Sequence, residues 1–130
     1  MIIRLENHCP IAQKRHRTGK WGMYDPSSSD KEDVMILIRS KNKLEFLGEG
    51  PLKASFKFLF PIPMSLSKKK KDLLAGEPHI KRPDIDNCLK FYIDTMQDMG
   101  LFKDDSQICE LNVIKIYSSI PRVEINIKKI

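Results

Sequence analysis

In the last third of the sequence, the spacing of the apolar residues changes from the period of a helix to the period of a strand. This change constrains the fold more than any other feature of the sequence. From Asp86 to Gln97 the apolar side chains gather on one side of a helical wheel, which predicts a helix with one buried face. From Ile108 to Ser118 and from Arg122 to Ile130 every second residue is largely apolar, which predicts two strands. The Ser-Ser-Ile-Pro segment between the two strands predicts a hairpin. The buried side of the helix is predicted to carry Cys88, Leu89, Tyr92, Ile93 and Met96.

The earlier part of the chain supplies further elements. The residues from Ile2 to Leu5 predict an opening strand, and a loose helical spacing predicts a helix from about residue 29 to 45, closed by the glycines at 48 and 50. Alternation from Leu52 to Phe60 predicts a half-buried strand, and a short helix is predicted within residues 65–75. We therefore expect an α+β fold in which helices pack against a sheet that is mixed or antiparallel, with a preference for the mixed form. The length fits a single small domain over residues 1–130.

The chain is basic, with 23 Lys or Arg, 17 Asp or Glu and a net charge of +6. Charged residues make up 31% of the sequence but are interspersed with 41% hydrophobic residues, which is typical of a folded protein. A basic surface favours polyanionic partners, nucleic acid first and an anionic membrane second. A basic domain without such a partner remains the alternative at this point.

Neither membrane insertion nor secretion is indicated. The longest clean apolar run, Val34 to Ile38, is far shorter than the roughly 20 residues that a membrane-spanning helix needs. No apolar signal core precedes the charged residues near the amino terminus. The three cysteines, Cys9, Cys88 and Cys109, form no paired framework. We therefore expect a cytoplasmic protein in a reducing compartment.

A carboxylate pair stands where the best predicted helix begins, in the segment K-R-P-D-I-D-N-C-L-K at residues 81–90. Pro83 restricts the residue before it to extended geometry, so an extended segment runs into the helix. Asp84 and Asp86 are two residues apart on this segment, and alternate residues of an extended chain share a side. The helix dipole favours anions at this end. Lys90 lies one helical turn beyond Asp86.

A second acidic pair, Asp104 and Asp105, precedes the first of the two late strands. If the start of that strand approaches the start of the helix, three or four carboxylates and one lysine meet in a polar hollow. Clustered carboxylates repel one another unless a cation lies among them, and Mg²⁺ is the natural partner of such oxygen ligands. The alternative for each aspartate is a local role as a helix cap, a turn residue or a loop residue.

Together, P-D-I-D-N-C-L-K-F-Y-I-D-T-M and, about ten residues later, D-D-S-Q-I resemble the motif of the RusA-type Holliday junction resolvases. The core of the resemblance covers about 25 residues, and the predicted order of strands and helices agrees over the rest. The segment P-I-A-Q-K-R-H-R with a later Y-D-P resembles, more weakly, the basic segment of phage members. The one departure within the core motif is Cys88, where a larger apolar residue is usual and which faces the predicted core.

The resemblance implies a homodimeric, Mg²⁺-dependent endonuclease that acts on four-way DNA junctions in recombination and repair. By motif position the metal ligands would be Asp84, Asp86 and Asp105, and the catalytic lysine would be Lys90. Asp104 is the less certain neighbour of this set. Mg²⁺ would activate water for phosphodiester hydrolysis, and Lys90 would stabilise the charged transition state. A two-fold protein suits a two-fold junction, because paired sites cut two strands symmetrically.

Basic residues outside the acidic segments predict contacts with DNA phosphates that do not depend on sequence. A solvated basic surface is the alternative for the lysine run. Trp21 or Tyr24 could stack on an unpaired base, with a core or hinge role as the alternative. The predicted phosphate-binding residues are Lys14, Arg15, Arg17, Lys20, Lys68, Lys69, Lys70 and Lys71.

Two other functions stay open from the sequence. One is a basic nucleic-acid-binding module without catalysis, which would bind DNA without cutting it in Mg²⁺. The other is a Mg²⁺-dependent nuclease that acts on a different branched DNA. A cleavage comparison over several DNA shapes distinguishes these possibilities.

Overall fold

The computed structural model describes residues 1–14, 17–19 and 22–130, with the backbone alone at residues 17, 18, 23 and 24. The strands are β1 (Ile2–Glu6), β2 (Arg17–Gly19), β3 (Gly22–Tyr24), β4 (Leu52–Pro61), β5 (Ile108–Ser118) and β6 (Arg122–Lys129). The helices are α1 (Ser28–Lys41), α2 (Lys68–Leu74) and α3 (Ile85–Asp98), and a 3₁₀ turn spans Asp105–Gln107.

The main sheet has four strands in the order β1-β6-β4-β5. β6 runs antiparallel to both β1 and β4, whereas β5 runs parallel to β4. The sheet is therefore mixed, and the predicted α+β class is confirmed. The short strands β2 and β3 form a separate antiparallel pair that begins at Arg17, the last residue of the P-I-A-Q-K-R-H-R segment.

The predicted hairpin between the last two strands is wrong. β4 lies between β5 and β6, and the link between them crosses the end of β4, where Pro61 pairs with Ser118 and Leu59 pairs with Arg122. The physical reason is that β4 offers two free edges and a strongly apolar face, so each late strand gains more by pairing with it. The long α2–α3 connection returns the chain so that β5 lies parallel to β4.

The hydrophobic core lies between one face of the sheet and the helices. Ala54, Phe56 and Phe58 of β4 are buried on this face, as predicted from the alternation. Tyr92 of α3 packs against Phe58 with ring centroids 5.6 Å apart, and Ile38 of α1 is fully buried in the same core. Among the described residues, the opposite face of the sheet presents mostly polar side chains, including Lys57, Glu124 and Asn126.

Helix α3 is rotated slightly from the predicted orientation. Its fully buried residues include Phe91 and Thr95, whereas Leu89 and Ile93 are only partly buried. The sheet-facing position is taken by the larger Phe91 ring, which packs edge-on against Tyr92 with centroids 4.9 Å apart. Leu89 and Ile93 therefore pack only at the margin of the core.

Helix α1 ends earlier than predicted, at Lys41. Asn42 follows it in extended geometry, and its side chain accepts a hydrogen bond from Arg4 N at 2.8 Å and donates to Arg4 O at 3.2 Å. This pair of bonds ties the chain to β1 and stops the helix before the glycines. Within the part of the chain that the structure describes, no helix is long and apolar enough to cross a membrane.

Candidate active site

Asp84 and Asp86 lie at the start of α3. The extended segment that precedes the helix, residues 81–84, is called the lead-in below. Asp84 is the N-cap residue with φ −68° and ψ 146°, and its carbonyl accepts the first helical bond from Cys88 N at 3.2 Å. Its carboxylate makes no capping hydrogen bond. Asp86 accepts one local bond, from Asn87 N at 3.0 Å, and both aspartates are exposed. Capping therefore does not account for the Asp84 carboxylate.

An open cleft surrounds this carboxylate pair and carries positive charge on its other walls. Two carboxylates thus face three basic side chains and one histidine in a small volume, which suits a site for a phosphate and a cation together. The polar residues that line the cleft are His79, Lys81, Arg82, Asp84, Asp86 and Lys115.

Lys115 holds the lead-in segment in place. Its Nζ donates to Lys81 O and to Pro83 O, both at 2.6 Å, and lies 5.6 Å from the centroid of the Phe60 ring. The two carbonyls flank the turn that presents Asp84, so this side chain fixes the direction of the segment. We did not predict this role. The alternation of β5 could have indicated it, because Lys115 pairs with the buried Phe58 of β4 and is therefore an unexpected charge on the inner face of the sheet.

His79 is a second cleft residue that the sequence did not single out. Its ring stacks on Phe60 with centroids 4.1 Å apart, and its backbone N donates to Lys115 O at 3.0 Å. Burial and the nearby Lys115 charge both lower the pKa of His79, so the neutral ring is favoured. The buried Nδ1 has no hydrogen-bond partner among the described residues.

Lys90 lies on the exposed side of α3 and pairs with Asp94 rather than with Asp86. Its Nζ is 3.3 Å from Asp94 Oδ2, while the lysine side chain stays 57% exposed. Asp94 is also 3.9 Å from Lys31 Nζ, and Lys31 in turn lies 2.7 Å from Asp25 Oδ2. This row of alternating charges holds the Lys90 ammonium beside Asp94 and leaves its side chain largely exposed.

Asp25 anchors the row of charges. Burial alone would raise the pKa of this carboxyl, but hydrogen bonds from Lys31, from the Ser27 backbone and from Gln13 outweigh it and lower the pKa to about 2. The carboxylate therefore stays charged and keeps the nearly buried Lys31 in position.

Asp105 lies at the other end of α3. Its backbone N donates to Gln97 Oε1 at 3.0 Å, and Gln97 belongs to the last turn of the helix. At a rise of 1.5 Å per residue, Gln97 is about 16 Å along the helix from Asp86. The expected approach of the second acidic pair to the first is therefore not made within one chain. Among the described residues no three acidic, histidine or cysteine side chains are grouped closely enough to hold a metal ion.

Asp104 has a clear structural role in the 3₁₀ turn. Its carboxylate accepts hydrogen bonds from the hydroxyl of Ser106 and from Ser106 N, the latter at 3.1 Å, and these bonds lower its pKa. Gln107 completes a capping box by accepting from Asp104 N at 2.8 Å. The neighbouring Asp105 carboxylate is exposed and does not take part in this box.

Some of the predicted DNA-binding residues can be placed. Lys14 is 57% exposed, and the residue before it donates from Gln13 N to Asn87 O at 2.9 Å, next to Asp86. The four lysines from Lys68 to Lys71 begin α2, where Lys68, Lys69 and Lys70 are exposed and Lys71 is half-buried. The predictions for Arg15, Lys20 and Trp21, and for the side chains of Arg17 and Tyr24, fall outside the described residues.

Comparison with known proteins agrees with the motif. Residues 8–128 match the family described as Endodeoxyribonuclease RusA. The chain is 35% identical over 130 residues to Uncharacterized protein YqaN of Bacillus subtilis (strain 168), covering 93% of this chain and 91% of that protein. It is 32% identical over 113 residues to Crossover junction endodeoxyribonuclease rusA of Lactococcus phage r1t, covering 86% of this chain and 81% of that protein. The chain therefore belongs to the RusA family of crossover junction endonucleases, as the motif of residues 83–108 predicted.

Proposed function

We propose that this protein is a Mg²⁺-dependent endonuclease that resolves four-way DNA junctions, with residues 1–130 acting as one RusA-like domain. The observation that carries the proposal is the exposed pair Asp84 and Asp86, uncapped or only locally bonded, inside a basic cleft. The phage relative supports the substrate, because its name is that of a crossover junction endodeoxyribonuclease. We further propose that the protein works in the cytoplasm, where the exposed free thiols of Cys9 and Cys109 stay reduced.

The carboxylate pair fits part of a magnesium site. Mg²⁺ prefers oxygen ligands and keeps several waters, so one or two carboxylates together with a DNA phosphate suffice to hold it. Asp84 and Asp86 offer oxygens to the cleft. Asp105 of the same chain does not fit such a site, since it lies at the far end of α3. When bound, Mg²⁺ would supply an activated water and would neutralise charge on the phosphate.

The basic side chains of the cleft are placed to bind the scissile phosphate. Lys81 and Arg82 are exposed on the wall beside Asp84 and carry no ion pair within the described residues. An arginine can bind two phosphate oxygens at once, so Arg82 would orient the group as well as attract it. These contacts would hold the phosphodiester against the carboxylate pair and thus lower the entropy cost of reaction.

Lys90 would act on the developing charge of the transition state. It lies one turn from Asp86 on the exposed side of α3, and its pairing with Asp94 is exposed enough to exchange with a phosphate oxygen. We expect Lys90→Ala to reduce cleavage by about 100-fold while binding of Mn²⁺, followed by calorimetry, stays unchanged, because lysine is not a metal ligand. Lys57→Ala, on the exposed face of β4, is the matched control.

A panel of labelled DNA substrates tests the proposed substrate. Four-way junction, fork, flap, duplex and single strand are incubated with the protein in Mg²⁺ and in EDTA. We expect paired symmetric cuts in the junction, in Mg²⁺ only. Binding of every substrate without any cleavage would identify a non-catalytic binding module, and faster cleavage of the fork or flap would identify a nuclease for another branched DNA.

A further inference from the structure

We propose that His79 is a substrate-binding residue of the active site, whose Nε2–H donates a hydrogen bond to a non-bridging oxygen of the scissile phosphate. The inference rests on the proposed function and adds to it a neutral donor beside the charged groups of the cleft. Three observations support it: the firm attachment of the ring, the access to one of its nitrogens, and its uncharged state.

The His79 ring is held by both its backbone and its faces. The backbone N donates to Lys115 O at 3.0 Å, which attaches the residue to β5. The ring stacks on Phe60 with centroids 4.1 Å apart and an angle of 16° between the planes. Its centroid also lies 4.7 Å from that of the Tyr117 ring. A ring fixed in this way has little freedom left to lose, so it can orient a ligand at a low entropy cost.

The two ring nitrogens differ in their access to the cleft. Nδ1 is buried and has no hydrogen-bond partner among the described residues. The side chain as a whole is half-buried, and it lines the same cleft as Asp84 and Asp86. Nε2 is not buried and makes no hydrogen bond within the part of the chain that the structure describes. Nε2 is therefore the nitrogen that a ligand in the cleft can reach.

Stability does not account for a histidine at this position. Phenylalanine would keep the stack, whereas the buried Nδ1 costs free energy because it gives up water without gaining a partner. A phosphate oxygen accepts hydrogen bonds, so Nε2 must carry the proton when it binds one. Nδ1 then buries a lone pair, and buried acceptors are left unpaired in proteins more often than buried N–H groups.

The neutral state of the ring distinguishes it from its neighbours. Burial and the nearby Lys115 charge lower the pKa of His79, and together they outweigh the opposite effect of its own backbone. Lys81, Arg82 and Lys115 already bring positive charge to the cleft, and a charged imidazole would be repelled by them. A neutral N–H orients the phosphate without this repulsion, as a preorganised dipole does.

Two substitutions of His79 test the contact in single-turnover cleavage of a four-way junction. His79→Phe keeps the aromatic stack and removes the donor, whereas His79→Gln supplies an amide N–H on a side chain of similar reach. We expect His79→Phe to cleave about 100-fold more slowly, and His79→Gln to cleave at least about 10-fold faster than His79→Phe. Tyr117→Phe is the matched control, because it removes a hydroxyl from a neighbour of the same ring and should cleave as the wild type does.

Melting and salt dependence separate a phosphate contact from a structural role. His79→Phe should melt at or above the wild-type temperature, because the unpaired buried nitrogen is gone. The slope of log affinity for the junction against log salt should not change, since a neutral side chain releases no counterion, whereas Arg82→Ala should reduce that slope by about 1. A lower melting temperature together with weaker junction binding would show that His79 supports only the fold. Cleavage by His79→Phe at the wild-type rate would overturn the contact.

NMR of the histidine rings tests the contact without any cleavage. Protein labelled with ¹⁵N-histidine is saturated with the junction in Ca²⁺, which takes the same kind of oxygen ligands as Mg²⁺. The His79 signals are identified by their absence from His79→Gln. We expect a neutral ring protonated at Nε2, whose Nε2 signal moves when the junction is added. A proton on Nδ1 in the complex, or no response to DNA, would overturn the proposal. If the wild type cuts no junction, the proposed function fails, and this spectrum still decides the contact.

Discussion

Replacing Lys115 by Met tests whether the proposed catalytic carboxylates, Asp84 and Asp86, depend on the neighbouring strand β5 for their position. The Lys115 ammonium donates two hydrogen bonds of 2.6 Å to the carbonyls of Lys81 and Pro83. Hydrogen bonds to a charged group contribute about 1.5–3 kcal/mol each. Water replaces part of this loss, because Lys81 is exposed and Pro83 only half-buried, so we assign about 2–3 kcal/mol to the pair of bonds.

That free energy is the amount by which the two hydrogen bonds favour the observed conformation of the lead-in, here called aligned, over its other conformations. At 1.4 kcal/mol per factor of ten, its loss lowers the ratio of aligned to misaligned lead-in by roughly 30- to 150-fold, so the aligned form falls from nearly all of the molecules to about half. Methionine fills a similar apolar length, so the contact with Phe60 and the fold should survive. We therefore expect the single-turnover cleavage rate to fall by at least about two-fold, while the thermal midpoint falls by about 10 °C or less.

Two variants separate positioning from a general effect of charge. Lys115→Arg keeps donors that reach both carbonyls and should restore most of the rate. Lys57→Met removes an exposed lysine from the polar face of the sheet and should cleave as the wild type does. If Lys115→Met cleaves junctions at the wild-type rate, the lead-in does not need this lysine and the positioning argument is refuted.

Two further predictions concern charge. Replacing Lys14, Arg15 and Arg17 together by Ala should weaken junction binding in fluorescence anisotropy and should reduce the slope of log affinity against log salt by about 2–3, as loss of phosphate contacts requires; an unchanged slope would contradict the contacts. Because the pKa of Asp25 is lowered from 3.8 to about 2 in the folded state, its stabilising effect is present above pH 3.8 and is lost as the pH falls through about 2. Urea unfolding should accordingly find Asp25→Asn less stable than the wild type at neutral pH, with the difference vanishing below pH 2; an equal difference at both pH values would show that the ion pair with Lys31 is not its source.

Most helices and strands could be predicted from the sequence because each is indicated by the pattern of its own residues. The alternation of Leu52 to Phe60 and the apolar side of α3 each arise because a single element buries one of its sides in the core. The ends of both elements were predicted to within a few residues. The rotation of α3 was not predicted, since a wheel with 100° steps defines a face only to within a residue, and the competition between Phe91 and Leu89 is decided by the shape of the sheet.

Pairing and site assembly depend on residues far apart in the chain, and there local patterns carry little information. The prediction of a hairpin between β5 and β6 was wrong because the short link after Ser118 suggested that these two strands pair directly. The residues of that link carry no information about β4, which lies between them in the sheet. Likewise the motif predicted Asp84, Asp86 and Asp105 as one site but not their separation, which follows because Lys115 of β5 contacts the residues before α3 whereas Asp105 contacts its last turn. The role of Lys115 was missed for the same reason: its partners lie more than thirty residues earlier.

Asp86→Asn tests the central claim most directly. The side chain keeps its size and can still accept the local hydrogen bond from Asn87 N, so the helix start should be preserved. It loses the negative charge that Mg²⁺ requires and that repels the DNA phosphate. Junction cleavage and junction binding are measured on the same preparation, with a thermal melt to verify folding. We predict no detectable cleavage together with equal or tighter binding, whereas cleavage at the wild-type rate by the folded variant would show that Asp86 serves only the helix and that the active site lies elsewhere.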